Sequence, residues 1–298
     1  MMLYIFDHTI LPILNYGSEV WGNNDYSELE RIHLRLCKYV LGVNESTPTI
    51  GVYAELGRYP ILINRKIAIS KYLQRLSELD DNRVVKKGFK QLLIDDTKGH
   101  YNWVSQALDD IQLRSIELTN SCDIIKSKYK SFFQSSLKKA LIECIHEQKK
   151  LRTYAQFKLV IKFEPYLTYV NIYKIRKSFS AFRLGVHDLE IERGRYTTKS
   201  VPRDLRFCKL CIEKQIQAVE DELHFLLHCP SYSDQRQIML AKIHIKFPER
   251  EMNDTDKFVW LLSLEDQECT HWISYYVYKC FEIRKKELDN ILNQIRVK

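Results

Sequence analysis

Glycine and proline are scarce in this sequence, with 9 and 7 among 298 residues. Since both residues interrupt regular structure, their scarcity favours a mainly α-helical fold. The sequence has no run of the roughly 18 apolar residues that a membrane-spanning helix needs. Its first residues, MMLYIFDHTILPILNYG, lack the basic start of a secretory signal, and Asp7 and His8 interrupt their apolar stretch. We therefore expect a soluble intracellular protein of the cytoplasm, the nucleus or both, without a membrane partner.

Most of the eight cysteines stand apart from one another, which fits a reducing compartment. Five of them are expected to be small buried residues on helices: Cys37, Cys122, Cys144, Cys269 and Cys280. A chain of this length can bury a core without disulfides or metal, so a metal site here would act locally.

Apolar residues recur every three or four positions through much of the chain, which is the pattern of amphipathic helices. Ser27 and Glu30 have the spacing of a capping box, and the helix they start should continue to Gly42. The same periodicity predicts further helices at 62–79, 84–94, 102–112, 122–149 and 271–295.

Positive charge is concentrated after residue 165, in a chain whose net charge is +8. The cations there are Lys174, Arg176, Lys177, Arg183, Arg193, Arg195, Lys199, Arg203, Arg206 and Lys209. Interleaved with them are the aromatic residues Tyr173, Phe179, Phe182, Tyr196 and Phe207. Cations neutralise phosphates and aromatic rings stack on unpaired bases, so this composition indicates nucleic-acid binding. The alternative is a solvated basic surface. We expect Phe179 and Phe182 to lie on the same face of one helix and to pack in the core of the protein.

One stretch, RFCKLCIEKQIQAVEDELHFLLHCPSY at 206–232, has the spacing of a metal site. Cys208 and Cys211 form a Cys-x2-Cys pair, which can place two thiolates on one zinc ion. His224 and Cys229 follow at the end of a short predicted helix that Pro230 stops. Four protein ligands fill the coordination sphere, so we predict one structural zinc with no position for an activated water.

Two alternatives remain for this cluster. His228 is a rival to His224, but it adjoins Cys229, and adjacent residues seldom reach the same ion. Chance also produces Cys-x2-Cys pairs in a chain with eight cysteines, although the His-x4-Cys pair soon after it makes chance a weaker explanation. A zinc deaminase is excluded, because that class carries a His-x-Glu before its Pro-Cys-x-x-Cys.

The runs FRLGVHDLEIERGRY, VPRDLRFCKLC, EDELHFLLHCPSY and DTDKFVWLLS resemble, in this order, the zinc-knuckle tail of non-LTR (LINE-type) retrotransposon reverse transcriptases. LPILNYGSEVWG and the helix after it resemble the thumb of the same enzymes. The resemblance covers residues 11 to about 263, apart from 80–165, and it implies three segments. These are a thumb-like helical unit at 1–60, a helical connector at 61–165, and a small basic zinc-knuckle domain with a closing helix at 166–298.

The resemblance also implies roles for individual residues. Cys208, Cys211, His224 and Cys229 fall on the metal ligands. In related elements, the basic segment before the zinc knuckle helps to hold template RNA or target DNA. The residues that match this segment are Arg183, His187, Arg193, Gly194, Arg195 and Tyr196. Taken with the charge pattern, the expected nucleic-acid contacts are Lys174, Arg176, Lys177, Arg183, His187, Arg193, Arg195, Tyr196, Arg203 and Arg206.

The catalytic aspartates of these enzymes are absent from the sequence. A reverse transcriptase holds two metal ions with an aromatic-x-Asp-Asp hairpin. The Asp-Asp pairs here, in SELDDN, LIDDTKGH and ALDDIQ, lack the aromatic residue, and each lies in a predicted helix or at the end of one. We expect a C-terminal fragment of such an enzyme that binds RNA or DNA and does not polymerise. The alternative is a helical remnant in which zinc only stabilises the fold.

Overall fold

A computed structural model describes residues 2–24, 26–110, 121–147 and 149–297. The fold is mainly helical, and within these ranges β pairing is limited to two isolated bridges, Leu56 with Phe163 and Phe207 with Val219. The prediction of a mainly α protein with a Cys and His cluster at 208–229 and a C-terminal helix is confirmed. Over the same ranges, no helix is both long enough and apolar enough to cross a bilayer.

The predicted helices are present, with ends shifted by a few residues. In chain order the α-helices are α1 (Met2–Ile5), α2 (Leu11–Leu14), α3 (Ser18–Trp21), α4 (Ser27–Leu41), α5 (Thr49–Glu55), α6 (Leu62–Glu78), α7 (Val84–Thr97), α8 (Trp103–Asp110), α9 (Ser121–His146), α10 (Tyr154–Phe157), α11 (Tyr166–Tyr169), α12 (Tyr173–Arg183), α13 (Glu190–Arg193), α14 (Lys209–Ile212), α15 (Ser233–His244), α16 (Asp254–Ser263) and α17 (Gln267–Val297). Residues 111, 112 and 148 of the predicted helices lie outside the described residues.

The chain forms two compact units. Unit 1 comprises Met1–Cys37 and Tyr59–Ser136, and unit 2 comprises Lys38–Arg58 and Leu137–Lys298. The boundaries of these units differ from the segment boundaries at 60 and 165 that the resemblance implies. The three segments inferred from the resemblance stay a prediction.

Unit 1 has its core between α6, α7 and α8. Ile69 and Leu73 of α6 pack with Phe89 of α7 in a buried cluster. Glu30, predicted to close a capping box with Ser27, accepts hydrogen bonds from the backbone N–H of Ile61 at 3.1 Å and of Leu62 at 2.7 Å. The carboxylate of Glu30 thus caps the start of α6, where backbone donors lack helical partners.

Unit 2 is built around α17, against which α12 and α15 pack. The buried face of α17 has helical spacing and includes Ile273, Tyr276, Val277, Cys280 and Arg284. Phe179 and Phe182 of α12 are both 2% exposed and belong to the same core, as predicted. This core also contains the cysteines of the candidate metal site, so the site is part of the packed interior of unit 2.

Three of the five isolated cysteines, Cys37, Cys269 and Cys280, are buried and form no disulfide, which confirms the prediction for them. The side chains of Cys122 and Cys144 are not among those that the structure describes. Burial raises the pKa of the Cys280 thiol to about 12 and that of Cys269 to about 11. These thiols therefore stay protonated and unreactive at neutral pH.

Candidate metal centre and basic loop

Four side chains meet inside unit 2: Cys208, Cys211, His224 and Cys229. Their candidate ligand atoms all lie within 4.8 Å of one another. Cys211 Sγ is 3.8 Å from Cys229 Sγ and 3.4 Å from His224 Nε2. A tetrahedral zinc ion with Zn–S bonds of about 2.3 Å separates two sulfur ligands by about 3.8 Å. The cluster can therefore hold one metal ion.

A short hairpin positions the first two ligands. The backbone N–H of Cys208 donates to Ala218 O at 2.8 Å, and that of Glu220 donates to Arg206 O at 2.9 Å. Cys208 lies immediately before α14, and Cys211 lies within this helix. The Cys211 N–H donates to Cys208 O at 3.1 Å, which closes a tight turn with both sulfurs on its inner side.

A π-helical turn positions the other two ligands. In an α-helix, residues five apart differ in direction by roughly 140°, so His224 and Cys229 could not share an ion on a regular helix. Here His224–His228 forms a π-helix, and the Cys229 N–H donates to His224 O at 2.8 Å. The wider i→i+5 winding brings the two side chains to the same side. Tyr276 of α17 donates to the carbonyl oxygen of Phe225 at 3.0 Å and anchors this turn to the core.

His224, and not its rival His228, is the histidine of the cluster. The His224 side chain is buried, whereas that of His228 is 42% exposed and its Nε2 lies 3.2 Å from Asp254 Oδ2. Because Cys229 directs its sulfur inward, its neighbour in the chain faces the other way. The preference for His224 made from ligand spacing therefore agrees with the geometry.

The three thiols are electrostatically coupled. A hydrogen bond with Cys208 lowers the pKa of Cys229, and the same contact, together with burial, raises the pKa of Cys208. Burial and the negative charge of Cys229 raise the pKa of Cys211. A metal ion at this position would displace the thiol protons, because the thiolate is the form that coordinates a metal.

Buried ion pairs surround the cluster. Glu220 places Oε1 3.7 Å from Cys208 Sγ and pairs with Arg284 of α17 at 2.7 Å. Glu222 pairs with Arg152 at 2.8 Å, and the second carboxylate on Arg152 is Glu192 at 2.7 Å. Because a buried charge is tolerated only with a partner, these pairs fix the segment that carries the ligands.

The structure divides the expected nucleic-acid contacts into three groups. Exposed side chains are those of Lys174, Lys177, Arg193, Tyr196 and Arg203. Partly buried side chains are those of Arg176, Arg195 and Arg206. The buried side chains are those of Arg183 and His187.

Arg183 cannot contact a phosphate in this fold, which corrects the expectation for this residue. Its guanidinium is 3% exposed and pairs with Glu55 at 2.6 Å and with Glu164 at 2.7 Å. It also donates to Leu262 O at 2.6 Å, and Tyr154 donates to Glu55 Oε2 at 2.9 Å. Arg183 is therefore the centre of a buried ion-pair network.

His187 is likewise buried, and its Nε2 lies 3.2 Å from Glu222 Oε1. Since the Glu222 carboxylate is also paired with Arg152, His187 belongs to the network behind the metal cluster. The resemblance assigned it to a nucleic-acid contact, and its burial corrects that assignment.

Of the remaining cations, Lys174, Arg176 and Lys177 lie on α12. The others lie at 193–206, the last residue of α13 and the loop after it, which we call the basic loop: Arg193, Arg195, Arg203 and Arg206. The Val201 N–H donates to Gly194 O at 3.0 Å and closes the base of the loop. Arg206 reaches back across it, donating to Val201 O at 2.9 Å and to Ile191 O at 2.6 Å. A Cβ at Gly194 would lie 2.8 Å from Arg206 Cδ, so glycine is needed where this side chain passes. Arg206 therefore holds the loop rather than extending from it.

Sequence reasoning missed the partners of the buried charges and one partly buried cation, Lys150. The partners are Glu55, Glu164, Arg152, Glu192, Glu220, Glu222 and Arg284. Lys150 was missed because it lies far from the basic stretch in sequence, yet its Nζ lies 5.2 Å from the centroid of the Tyr196 ring. A signal did exist for Arg183 and Arg284, since each occupies an apolar helix face where a cation implies a buried acidic partner.

In comparisons with known proteins, no family model, no curated protein and no solved structure matches this chain. The resemblance to the reverse transcriptases therefore stays a prediction from the motifs.

Proposed function

We propose that this chain binds nucleic acid through the basic loop, and that a structural zinc ion in the neighbouring cluster holds that loop in place. The function is that expected of the C-terminal region of a non-LTR retrotransposon reverse transcriptase, without polymerase or endonuclease activity. The observation that carries the proposal is the direct continuity between the loop, which ends at Arg206, and the cluster, which begins at Cys208.

The charge of the loop supports an anionic ligand. The basic loop, 193–206, contains five cations and one acidic residue, Asp204. Burial lowers the pKa of the Arg206 guanidinium, and the nearby charge of Arg195 lowers it further. Cations packed closely enough to repel one another gain free energy when a phosphate joins them.

The chemistry of the cluster supports zinc, because three thiolates and one imidazole favour this ion over hard cations. The residues that would hold it are Cys208, Cys211, His224 and Cys229. All three cysteines are 0% exposed. A metal ion at this depth stabilises the fold, and the nucleic acid would contact the loop rather than the ion.

Fluorescence anisotropy with labelled RNA and DNA oligonucleotides, over a series of salt concentrations, tests the proposal. We expect the affinity to fall steeply as salt rises, because binding releases counterions from the phosphates. The double variant Arg193→Glu/Arg203→Glu, which reverses two exposed cations, should weaken binding and flatten the salt dependence.

The matched control is Lys87→Glu/Lys98→Glu, which makes the same change in net charge at exposed positions of unit 1. Equal loss of affinity in both double variants would show a general charge effect and contradict a site at the basic loop. Binding that does not respond to salt would contradict phosphate recognition altogether.

A purely structural role is the second candidate, and the complete burial of the metal cluster favours it. In that case the ion stabilises unit 2 and the basic loop is only a solvated surface. Weak and equal binding of every oligonucleotide, unchanged by Arg193→Glu/Arg203→Glu, would favour this candidate over nucleic-acid recognition.

A further inference from the structure

An exposed aromatic ring stands at the mouth of a cleft in unit 2. Tyr196 is 70% exposed, although a ring of this size normally gains free energy by burial. The cleft beside it has a volume of about 610 Å³, within the range of roughly 300–1,000 Å³ seen for ligand sites. Besides Tyr196, it is lined by the cations Lys150, Arg193 and Lys209 and by the acidic residues Asp188, Glu190 and Glu192. Glu190 pairs with Lys209 at 3.1 Å, so Lys150 is the cation that matters here.

Tyr196 is held in position by the backbone around it. Its N–H donates to Arg193 O at 3.0 Å, and the next residue, Thr197, donates through Oγ1 to Lys199 O at 2.7 Å. The loop is closed at its base by the hydrogen bond between Val201 and Gly194. A ring presented in this way loses little conformational entropy when a flat ligand stacks on it.

A cation accompanies the ring. Lys150 Nζ lies 5.2 Å from the ring centroid and 3.4 Å from Ser46 Oγ. The site therefore offers an aromatic face and positive charge within a few ångströms.

We infer that this cleft binds single-stranded nucleic acid, with one unpaired base stacked on Tyr196 and its phosphate beside Lys150. The inference rests on the proposed function and names the form of nucleic acid that it takes. Every base has a face that stacks on an aromatic ring, and the adjoining backbone carries the charge that Lys150 neutralises. In a duplex the base faces are covered by their neighbours, so Tyr196 would find no partner there.

The test compares wild type, Tyr196→Ala and Tyr196→Phe on a labelled oligothymidylate of about 15 nucleotides, near the upper end of known site sizes. A duplex of equal length is measured in parallel. We expect Tyr196→Ala to weaken single-strand binding roughly 5- to 150-fold, the range measured for loss of one stacked base, and to leave duplex binding unchanged. Tyr196→Phe keeps the ring and should bind the single strand like wild type.

Two further variants sharpen the test. Tyr39→Ala removes another tyrosine with 66% exposure and should have no effect on either probe. Lys150→Gln should weaken single-strand binding and reduce the slope of log affinity against log salt by about 0.7, the value for one phosphate contact in a single strand.

The outcomes separate this inference from the proposed function. If Tyr196→Ala binds the single strand as tightly as wild type, or loses equal affinity for the single strand and the duplex, stacking on Tyr196 is overturned. Salt-dependent binding to the basic loop would still support the proposed function. Failure of the wild type to bind either probe would overturn both.

Discussion

Arg284 and Glu220, which are 64 residues apart in the chain, form a buried two-point ion pair. Arg284 Nε lies 2.8 Å from Glu220 Oε1, and Nη2 lies 2.7 Å from Oε2. The same Oε1 lies 3.7 Å from Cys208 Sγ. The C-terminal helix α17 is thereby tied to the segment that begins the metal cluster.

Removal of this pair should destabilise unit 2. Arg284→Met leaves the buried Glu220 carboxylate uncompensated, which typically costs about 3–5 kcal/mol. Urea unfolding followed by circular dichroism measures the loss. Lys286→Met, on an exposed position of the same helix, should change the stability by less than about 0.5 kcal/mol. Equal effects of the two variants would show that the ion pair is not structural.

Arg183 should behave as a structural residue and not as a nucleic-acid contact. Arg183→Met leaves Glu55 and Glu164 without their shared cation, and we expect a loss of about 3–5 kcal/mol in unfolding experiments. The exposed cation Lys174 of the same helix gives the control, because Lys174→Met should be nearly neutral for stability. Normal stability of Arg183→Met together with weaker nucleic-acid binding would restore the original assignment from sequence.

Asp266 caps α17 and should give that helix an acid-sensitive start. Its Oδ1 accepts from the backbone N–H of Cys269 at 2.9 Å and of Glu268 at 3.1 Å, and Lys246 lies 3.1 Å from Oδ2. The hydrogen bond from the Cys269 backbone, followed by those from side chains, lowers the pKa of Asp266 from its ordinary value of 3.8.

Because the pKa is depressed in the folded state, this stabilisation is complete above pH 3.8 and is lost as the pH falls through the folded value. Asp266→Ala should therefore cost about 1 kcal/mol near neutral pH, as loss of an N-cap does, and progressively less as the pH falls below 3.8. Urea unfolding of both proteins across this range is the measurement. A cost that does not shrink on acidification would show that the charged form has no special role.

Metal removal should loosen one unit and spare the other. Because metal binding is coupled to folding, chelation should increase amide hydrogen exchange at 206–229 and in the part of α17 that packs on this segment. The helices α6, α7 and α8 of unit 1 have their own core and should keep their protection. Uniform loss of protection in both units would contradict a local metal site.

The helices and the candidate metal ligands were accessible from sequence because each leaves a local pattern. Apolar periodicity marked α6 and α17, and the spacing of Cys208, Cys211, His224 and Cys229 marked the cluster. The π-turn was not predicted, since no residue type at 224–228 distinguishes it from an α-helical turn.

Composition alone could not predict which cations are buried, which hold a loop and which are exposed. Arg183, Arg206 and Arg203 are equivalent in a charge count, yet the first is buried, the second holds a loop and the third is exposed. The difference depends on residues far away in the chain, such as Glu55, which is 128 positions from Arg183. Only tertiary structure brings such partners together, and a single sequence carries no record of their pairing.

The central claim is a zinc ion held by the four clustered side chains, and metal content tests it most directly. Zinc per chain would be measured by elemental analysis of purified wild type, Cys211→Ser and Cys269→Ser, the last lacking a buried cysteine outside the cluster. The account predicts one zinc in wild type and Cys269→Ser and none in Cys211→Ser. A folded wild-type protein without zinc, or equal zinc in all three, would contradict it.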